Sequence, residues 1–422
     1  MKISAGIGRK NERGQTIALV AASLVALLGM AALSIDVVTL YVARGEAQRA
    51  ADAAALGGAR MFATTSFATS PSSFTASEIC ASAGPGSSSA VNVVAEKTAA
   101  ENSVSNQPAA VSNISCDLTQ DRNPRVTVTV KRDNLATFFS RMWSRANTSV
   151  SATATAEAYN ASGENVAVEM TGVKPWLLPN CRSAGCATHY IDGSGMVEGG
   201  IGTTIRLDRI NTAGAPAIPS PGPLPALVDF YALNFISTAR ACPAGISPSC
   251  NLGVNDYEDD VSCSNRTPVS CGPTTAVSVR TVGGYGTREG TRCLIHAFDD
   301  ALAKGQDIFP PGGPPFTVQG GNNNPISSVR GTTNPLSHSD SIVTVPLYAG
   351  TSSLCIAANN CTLPISIVGF LQLGITHTIP GAGAGTPAVE AKVLDAVGCK
   401  PGATGGVSAS GSSPVAVRLI HQ

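Results

Sequence analysis

The longest apolar stretch of the sequence lies close to its start. Residues Ile17 to Ile35 (IALVAASLVALLGMAALSI) include no charged side chain. At about 1.5 Å of rise per residue, a helix of this length nearly crosses a hydrocarbon layer of roughly 30 Å. The pattern therefore predicts a transmembrane helix. A cleaved secretory signal is the alternative, but this run is longer than a usual signal core and no clear small-x-small cleavage site follows it.

The helical pattern continues beyond the apolar stretch, with a small side chain at every fourth position. These positions are Ala43, Ala47, Ala51, Ala55 and Ala59. Such a strip lets a second helix approach closely, so it predicts helix packing against a partner. The alternative is that alanine is simply the best helix former. Because Gly57 and Gly58 predict a break, we expect one helix from residue 17 to about 60, half in the membrane and half projecting from it.

A small α+β unit is predicted over residues 61–160. Its turn-rich start is followed by a predicted short helix at Ala90–Glu101. Strict alternation of apolar and polar residues predicts strands at Arg125–Lys131 and Ser149–Tyr159. An amphipathic helix is predicted between them at Asn134–Trp143.

Residues 161–422 form a second region that is rich in proline and in predicted strands. The most apolar strand, Ile365–Ile375, is expected to lie centrally, and a helix is predicted at Arg288–Lys304. The predicted strands are Val166–Met170, Thr203–Leu207, Ala276–Thr281, Ser341–Leu347 and Leu363–Thr378. The expected fold is thus a single N-terminal transmembrane helix with a long helical extension, a small α+β unit, and a β-rich, disulfide-stabilised region.

Charge decides the orientation of the predicted helix and excludes one class of partner. The chain has 28 Lys+Arg and 28 Asp+Glu, so it lacks the basic excess that nucleic-acid binding requires. Positive side chains precede the apolar stretch, and the positive-inside rule then places residues 1–16 in the cytoplasm and the bulk of the chain outside. These positive residues are Lys2, Arg9, Lys10 and Arg13.

The 12 cysteines all follow the predicted membrane segment. The small unit contains Cys80 and Cys116, and the larger region contains an even number, which favours disulfides in an exported chain. Short spacings suggest local pairs, although spacing does not fix connectivity. The candidate pairs are Cys181–Cys186, Cys263–Cys271 and Cys355–Cys361. A structural zinc site is the weaker alternative, since only Cys293 and His296 have ligand-like spacing.

The N-terminal segment resembles the TadE/TadG-like domain of tight-adherence (Flp) pilus-assembly proteins. The resemblance covers about residues 12–60 and lies in Arg13-Gly14-Gln15, Ser34–Val38 and Ala47–Ala59. It implies a bacterial inner-membrane protein with its bulk in the periplasm, serving the assembly of a surface fibre. Pseudopilin-type members carry a glycine with a glutamate five residues later; here Leu19 follows Gly14 at that spacing. The match is therefore to the uncleaved, TadG-like branch.

Signatures of catalysis are missing from the sequence. No phosphate loop, H-E-x-x-H or G-x-S-x-G motif occurs, and the five histidines are scattered, so we expect neither an enzyme nor a cofactor. Some TadG-like proteins carry a von Willebrand A domain whose metal site begins D-x-S-x-S. Asp192 and Ser194 match its first two positions, but Met196 replaces the second serine. A glycine-rich turn is the favoured interpretation over a metal site.

Two further features have a structural and a functional interpretation. The acidic run Asn255–Asp260 is expected to be a solvated loop, with adventitious Ca²⁺ binding as the alternative. Aromatic blocks at Lys174–Pro179, Asp229–Asn234 and Val254–Tyr257 are expected to be core, with an exposed partner patch as the alternative.

The predicted function is that of a non-enzymatic, membrane-anchored component of tight-adherence pilus assembly. Its expected partners are other pilus-assembly membrane proteins, with possible contact to the cell wall. Two rivals remain at this point. One is an anchored binding module with a degenerate A-type metal site, and the other is a periplasmic hydrolase.

Overall fold

A computed structural model describes most of the chain. The described residues are 13–69, 75–82, 85–119, 123–135, 137, 148–183, 186–210, 226–237, 239–243, 250, 252–274, 277–280, 282, 284–297, 304–311, 316–336, 338–349, 365–379, 389–403, 409–411 and 413–420. The predicted helix at 134–143 and the cysteines 355 and 361 lie largely or wholly outside these ranges.

A single helix, α1, spans Arg13–Thr64 and has 52 residues. At about 1.5 Å per residue it is about 78 Å long. It ends in a turn in which the buried Ser66 has a φ of 69°, the left-handed conformation that commonly terminates a helix. The apolar N-terminal stretch and the first folded unit therefore share one uninterrupted element.

The break predicted at Gly57 and Gly58 does not occur. Helix α3 (Ala90–Ala100) crosses α1 at this point. A Cβ at Gly57 would lie 2.8 Å from Thr98 Oγ1, and one at Gly58 would lie 3.3 Å from a methyl of Val91. The two glycines thus allow close approach of α3 and do not end the helix.

A four-stranded antiparallel sheet covers the other side of α1. Its strand order is β21-β5-β4-β3. The strands are β3 (Ala110–Asp117), β4 (Arg125–Leu135), β5 (Thr148–Asn160) and β21 (Val415–Ile420). A short helix α2 (Ala76–Ile79) and a two-stranded hairpin of β1 (Ser103–Val104) and β2 (Gln107–Pro108) complete the unit.

Alternation along β4 and β5 produces the face that packs on α1. Each strand directs every second residue inward, as the sequence predicted, and the inward residues are buried. They are Val126, Val128, Val130, Ala152, Ala154, Ala156 and Ala158. The small side chains of β5 allow the sheet to lie close to the alanines of α1.

The last strand changes the predicted division of the chain. β21 pairs with β5 from Val415 opposite Asn160 to Ile420 opposite Thr155. The unit predicted over residues 61–160 therefore includes the C-terminal strand, and the region 161–422 is not separate from it.

The β-rich region is built on a sheet that closes on itself. The sheet has the order β13-β18-β17-β7-β9-β8-β19, β18 also pairs with β19, and β14 pairs with β9. Six strands thus form a ring without an open edge. The strands are β7 (Trp176–Pro179), β8 (Thr204–Ile210), β9 (Ala226–Phe235), β13 (Gly272–Thr274), β14 (Val277–Arg280), β17 (Ile342–Tyr348), β18 (Ile365–Thr378) and β19 (Val389–Gly398).

Smaller sheets lie around this ring. One has the order β12-β6-β20, and two others contain two strands each. They are formed by β6 (Val168–Met170), β10 (Arg240–Ala241), β11 (Ser264–Asn265), β12 (Val269–Ser270), β15 (Asp307–Ile308), β16 (Gln319–Gly320) and β20 (Ala409–Gly411). A short 3-10 turn spans Ser327–Val329.

Two helices pack against the ring. Helix α4 spans Asp256–Ser262 and helix α5 spans Gly284–Leu294. The sequence predicted a helix at residues 288–304, so the observed helix begins earlier and ends earlier. The predicted β-rich character is confirmed, and β18 has the central place expected of it because it pairs with β17, β19 and β13.

Candidate functional site

The first half of α1 exposes large apolar side chains all around its circumference. Over Thr16–Thr64 it is the one helix in the described residues that is long and apolar enough to cross a membrane, and its most apolar part is almost unburied. The exposed side chains are Ile17, Leu19, Val20, Leu24, Val25, Leu27, Leu28, Met30, Leu33, Ile35, Val37, Val38, Tyr41 and Val42. A helix that is apolar on all faces and yet exposed suits a lipid environment.

The serine and threonine hydroxyls in this stretch are satisfied within the helix. Ser23, Ser34 and Thr39 each donate a side-chain hydrogen bond to a backbone carbonyl three or four residues earlier, at 2.9, 2.8 and 2.9 Å. Such internal bonds lower the cost of placing a hydroxyl among lipid tails. Tyr41, 80% exposed, stands at the end of the stretch, where aromatic side chains favour the membrane surface.

The alanine strip packs inside the chain itself. Ala43, Ala47, Ala51, Ala55 and Ala59 are 0–2% exposed and belong to one core cluster with α3 and the four-stranded sheet. The prediction that this strip packs against a partner helix is therefore wrong. Its small side chains serve close packing, but they contact helix α3 and the sheet of the same chain.

Just after the end of α1, hydrogen bonds connect the unit formed by α1 and the four-stranded sheet to the ring. Thr69 donates to the carboxylate of Asp395 on β19, and Asn160 Nδ2 donates to Thr69 Oγ1 at 2.9 Å. The Ser66 hydroxyl donates to the Leu394 carbonyl. These contacts fix the end of α1 against the ring.

Asp395 is buried completely at this junction. One carboxylate oxygen accepts hydrogen bonds from Thr69 and from the Ala396 amide, whereas the other oxygen has no hydrogen-bond partner among the described residues. Burial raises the pKa of Asp395 to about 7. The junction therefore contains a carboxyl group that folding tends to keep protonated.

Ten cysteines form disulfides in the described part of the chain, and two of the pairings differ from those suggested by spacing. Cys263 pairs with Cys242 and Cys271 pairs with Cys399, so the suggested pair Cys263–Cys271 is wrong. The reason is topological: β13 and β18 are neighbours, and β18 also pairs with β19, which places residue 271 beside residue 399. The remaining bonds are Cys80–Cys116, Cys181–Cys186 and Cys250–Cys293.

The weak metal candidates Asp192 and Ser194 form a local turn. Asp192 Oδ1 accepts hydrogen bonds from the Ser194 amide, the Ser194 hydroxyl and the Met196 amide at 2.7–2.8 Å. These bonds lower the pKa of Asp192. Within the described ranges, no group of three or more His, Cys, Asp or Glu side chains is placed to hold a metal ion.

The acidic run at residues 255–260 is helix α4 and not the predicted solvated loop. Arg240, mostly buried, contacts Asp260 at 2.7 Å, Asp256 at 3.2 Å and Asp259 at 4.0 Å. Asp259 also accepts a hydrogen bond from the Gly253 amide. The carboxylates are thus compensated by a cation of the chain, as buried charges usually are.

The aromatic blocks belong to the core. Trp176, Tyr231 and Tyr257 are fully buried, and the Tyr257 hydroxyl lies 2.8 Å from Thr287 Oγ1. The alternative of an exposed aromatic patch is therefore wrong for these side chains. The most exposed large apolar side chains of the folded region are Ile236, outside the blocks, and Val254, which begins the third block but is not aromatic.

The comparisons with known proteins concern the N-terminal helix. Residues 14–61 match the family model described as putative Flp pilus-assembly TadE/G-like. No curated protein and no solved structure matches the chain. The matched segment is the exposed apolar part of α1 together with its alanine-lined part. The resemblance found in the sequence is confirmed for this segment, and it suggests a membrane-anchored protein with a role in Flp pilus assembly.

Proposed function

We propose that the chain is a non-enzymatic, single-pass membrane component of Flp pilus assembly, of the uncleaved TadG-like branch. The observation that carries the proposal is that the matched residues 14–61 are an exposed apolar helix continuous with the central helix of a folded unit. A pilus subunit released from the membrane would need a processing site, and Leu19 and Arg13 occupy the positions where a glutamate would follow Gly14 and Gly8.

The proposed orientation has the N-terminus in the cytoplasm and the folded region in the periplasm, across the inner membrane. Two observations support it. Positive side chains precede the apolar stretch, and disulfides persist mainly in oxidising compartments.

The proposed partners are other pilus-assembly membrane proteins and, through the folded region, assembly proteins or the cell wall. Because the alanine strip is used internally, partner helices would contact the outward side chains of the apolar stretch, such as Leu24 and Leu28. Exposed apolar residues of the folded region, such as Ile236 and Val254, are suitable positions for soluble partners.

Orientation can be tested by thiol labelling of intact spheroplasts with a membrane-impermeant maleimide. Lys10→Cys should react only after permeabilisation, whereas Ser88→Cys, on an exposed part of the folded unit, should react at once. Both variants keep the native cysteines, and the unsubstituted chain provides the background. Labelling of Lys10→Cys in intact spheroplasts would contradict the proposed orientation.

The role in assembly can be tested with photo-crosslinking amino acids at Leu24, Leu28, Ile236 and Val254. Crosslinks to pilus-assembly proteins at these positions would support the proposal. A strain lacking the chain should also lose surface pili, and an unchanged number of pili in that strain would refute the role.

A further inference from the structure

A cavity of about 90 Å³ lies where the last turns of α1 meet the ring. Its wall includes Arg60 of α1, Lys174 before β7, His338 and Asp340 before β17, and Gln372 of β18. One water occupies on the order of 10–15 Å³ on this measure, so the cavity can hold several waters or one small ligand.

Two cations face this cavity. Lys174 is 1% exposed, and its ammonium donates to the Cys263 carbonyl at 2.6 Å. An ammonium has three N–H donors, so further donors are available. Arg60 Nη2 lies 2.9 Å from His338 Nδ1, and because a guanidinium can only donate, the histidine nitrogen accepts. Burial lowers the pKa of Lys174 to about 7, because the protein interior solvates the ammonium less well than water does.

The negative charge near the cavity is smaller. Asp340 lines the wall and favours the charged form of Lys174. Asp260 also acts on Lys174, but it is already paired with Arg240 at 2.7 Å. The wall thus contains two cationic side chains, Arg60 and Lys174, and one carboxylate, Asp340, which is a positive excess when Lys174 is protonated and His338 is neutral.

A buried acceptor completes the wall. Gln372 is 6% exposed, and its amide nitrogen donates to Ser413 Oγ at 3.1 Å. Its Oε1 atom has no hydrogen-bond partner among the described residues. A buried acceptor without a donor is unfavourable, so this oxygen favours a donor, either the protonated carboxyl of Asp395, which stands opposite Gln372 in the β18–β19 register, or a ligand that carries an N–H or O–H group.

We propose that this cavity binds a small tetrahedral oxyanion that retains a proton, with inorganic phosphate as the simplest member of the class. Arg60 and Lys174 donate to its negatively charged oxygens, and its P–OH group donates to Gln372 Oε1. Sulfate has the same tetrahedral shape and oxygens that accept hydrogen bonds, but it carries no proton at neutral pH. Acetate lacks both the tetrahedral shape and the proton. The bound anion would connect α1 directly to the ring.

The position of the cavity excludes a lipid headgroup as the source of the phosphate. Val42 is the last large exposed apolar residue of α1, and Arg60 follows it after about 27 Å of helix at about 1.5 Å per residue. A headgroup remains within the membrane surface layer. The ligand must therefore come from the aqueous compartment.

The test uses the full-length chain in detergent micelles, titrated with phosphate, sulfate or acetate at constant ionic strength and neutral pH. Binding is measured by the shift in thermal midpoint and directly by ³¹P NMR. We expect saturable stabilisation by phosphate with an affinity at least about tenfold above that of sulfate. Lys174→Met and Arg60→Met should each weaken phosphate binding about tenfold or more. Gln372→Met should reduce the affinity for phosphate to the affinity for sulfate.

Lys392→Met is the matched control. Lys392 is also buried, and its ammonium donates to the Pro310 carbonyl at 2.7 Å, but it does not line the cavity. It should retain phosphate binding. Equal responses to phosphate and sulfate, or an unchanged response in Arg60→Met, would identify an adventitious ion only and overturn the proposal. Arg60 lies partly exposed on α1, so this variant remains informative even if Lys174→Met fails to fold.

Discussion

Single polar residues decide how the end of α1 is attached to the ring. Asp395 is the main example, because its carboxyl is buried with one oxygen unpartnered in the described structure. Nothing in the sequence around it marks this role, since an aspartate within an apolar strand can equally face solvent. By contrast, the turn at Asp192 could be predicted locally, because Asp-Gly-Ser-Gly is a turn sequence whose carboxylate bonds its own backbone.

Asp395 should make stability depend on pH. Its folded-state pKa of about 7 lies above the ordinary aspartate value of 3.8, so the native state holds the proton more tightly than the unfolded state. The free energy of unfolding should therefore fall as pH rises from about 4 to about 7, by up to about 4 kcal/mol, and then level off. Chemical denaturation of Asp395→Asn over this range should show a flatter profile.

The control is Asp133→Asn at an exposed position, which should show the same pH dependence of the unfolding free energy as the parent chain. Lys174 titrates in a different window. Burial lowers its pKa from 10.5 to about 7, so the cost of burying its charge falls, and the free energy of unfolding rises, only as pH increases above about 7. If the unfolding free energy of Asp395→Asn still fell between pH 4 and 7 as it does in the parent chain, a group other than Asp395 would be responsible.

At the scale of elements, periodicity predicted most helices and strands well. The alternation in β4 and β5 and the small-residue strip of α1 are strong local signals, and both faces are buried as the patterns require. Two elements differ from the sequence prediction, and in both a neighbouring part of the chain contributes to the conformation. Gly57 and Gly58 stay helical because α3 packs on them, and the acidic run forms α4 because Arg240 compensates its carboxylates.

Ala51→Leu should destabilise the folded unit itself. The Ala51 side chain is fully buried between α1 and its neighbours, so a larger side chain must displace them, at a cost of about 1–3 kcal/mol. The measurement is chemical denaturation of the purified chain in detergent, without partners. Gly45→Leu is the control, because a Cβ at Gly45 meets nothing within 4 Å. Equal stability of both variants would contradict internal packing of the strip.

At the scale of the whole molecule, distant segments are brought together in ways that no local pattern contains. β21 returns to β5 across the entire β-rich region, and the ring closes through β18 and β19. Cysteine counting predicted that disulfides form, since an even number in an exported region favours them. It could not predict Cys271–Cys399, because the partners are 128 residues apart and are adjacent only in the folded sheet.

The long-range disulfide should stabilise the chain more than the short one. In the chain-entropy view, closing a loop of 128 residues is worth about 5 kcal/mol, whereas a separation of 5 is worth about 2 kcal/mol. Cys271→Ser with Cys399→Ser should therefore lower the thermal midpoint more than Cys181→Ser with Cys186→Ser. Thermal unfolding under non-reducing conditions compares the two, and a reversed order would argue against the entropic account.

The continuity of α1 also makes the folded region sensitive to the bilayer. The uncharged stretch from Ile17 to Ile35 is about 28 Å long at about 1.5 Å per residue, close to a hydrocarbon layer of roughly 30 Å, and Asp36 follows it directly. A bilayer thinner than this would make the helix tilt to keep its apolar side chains out of water. Since the same helix runs on through the alanine-lined core to Thr64, that tilt would be carried into the folded unit. Bilayer thickness would thereby set the angle at which the unit stands over the membrane.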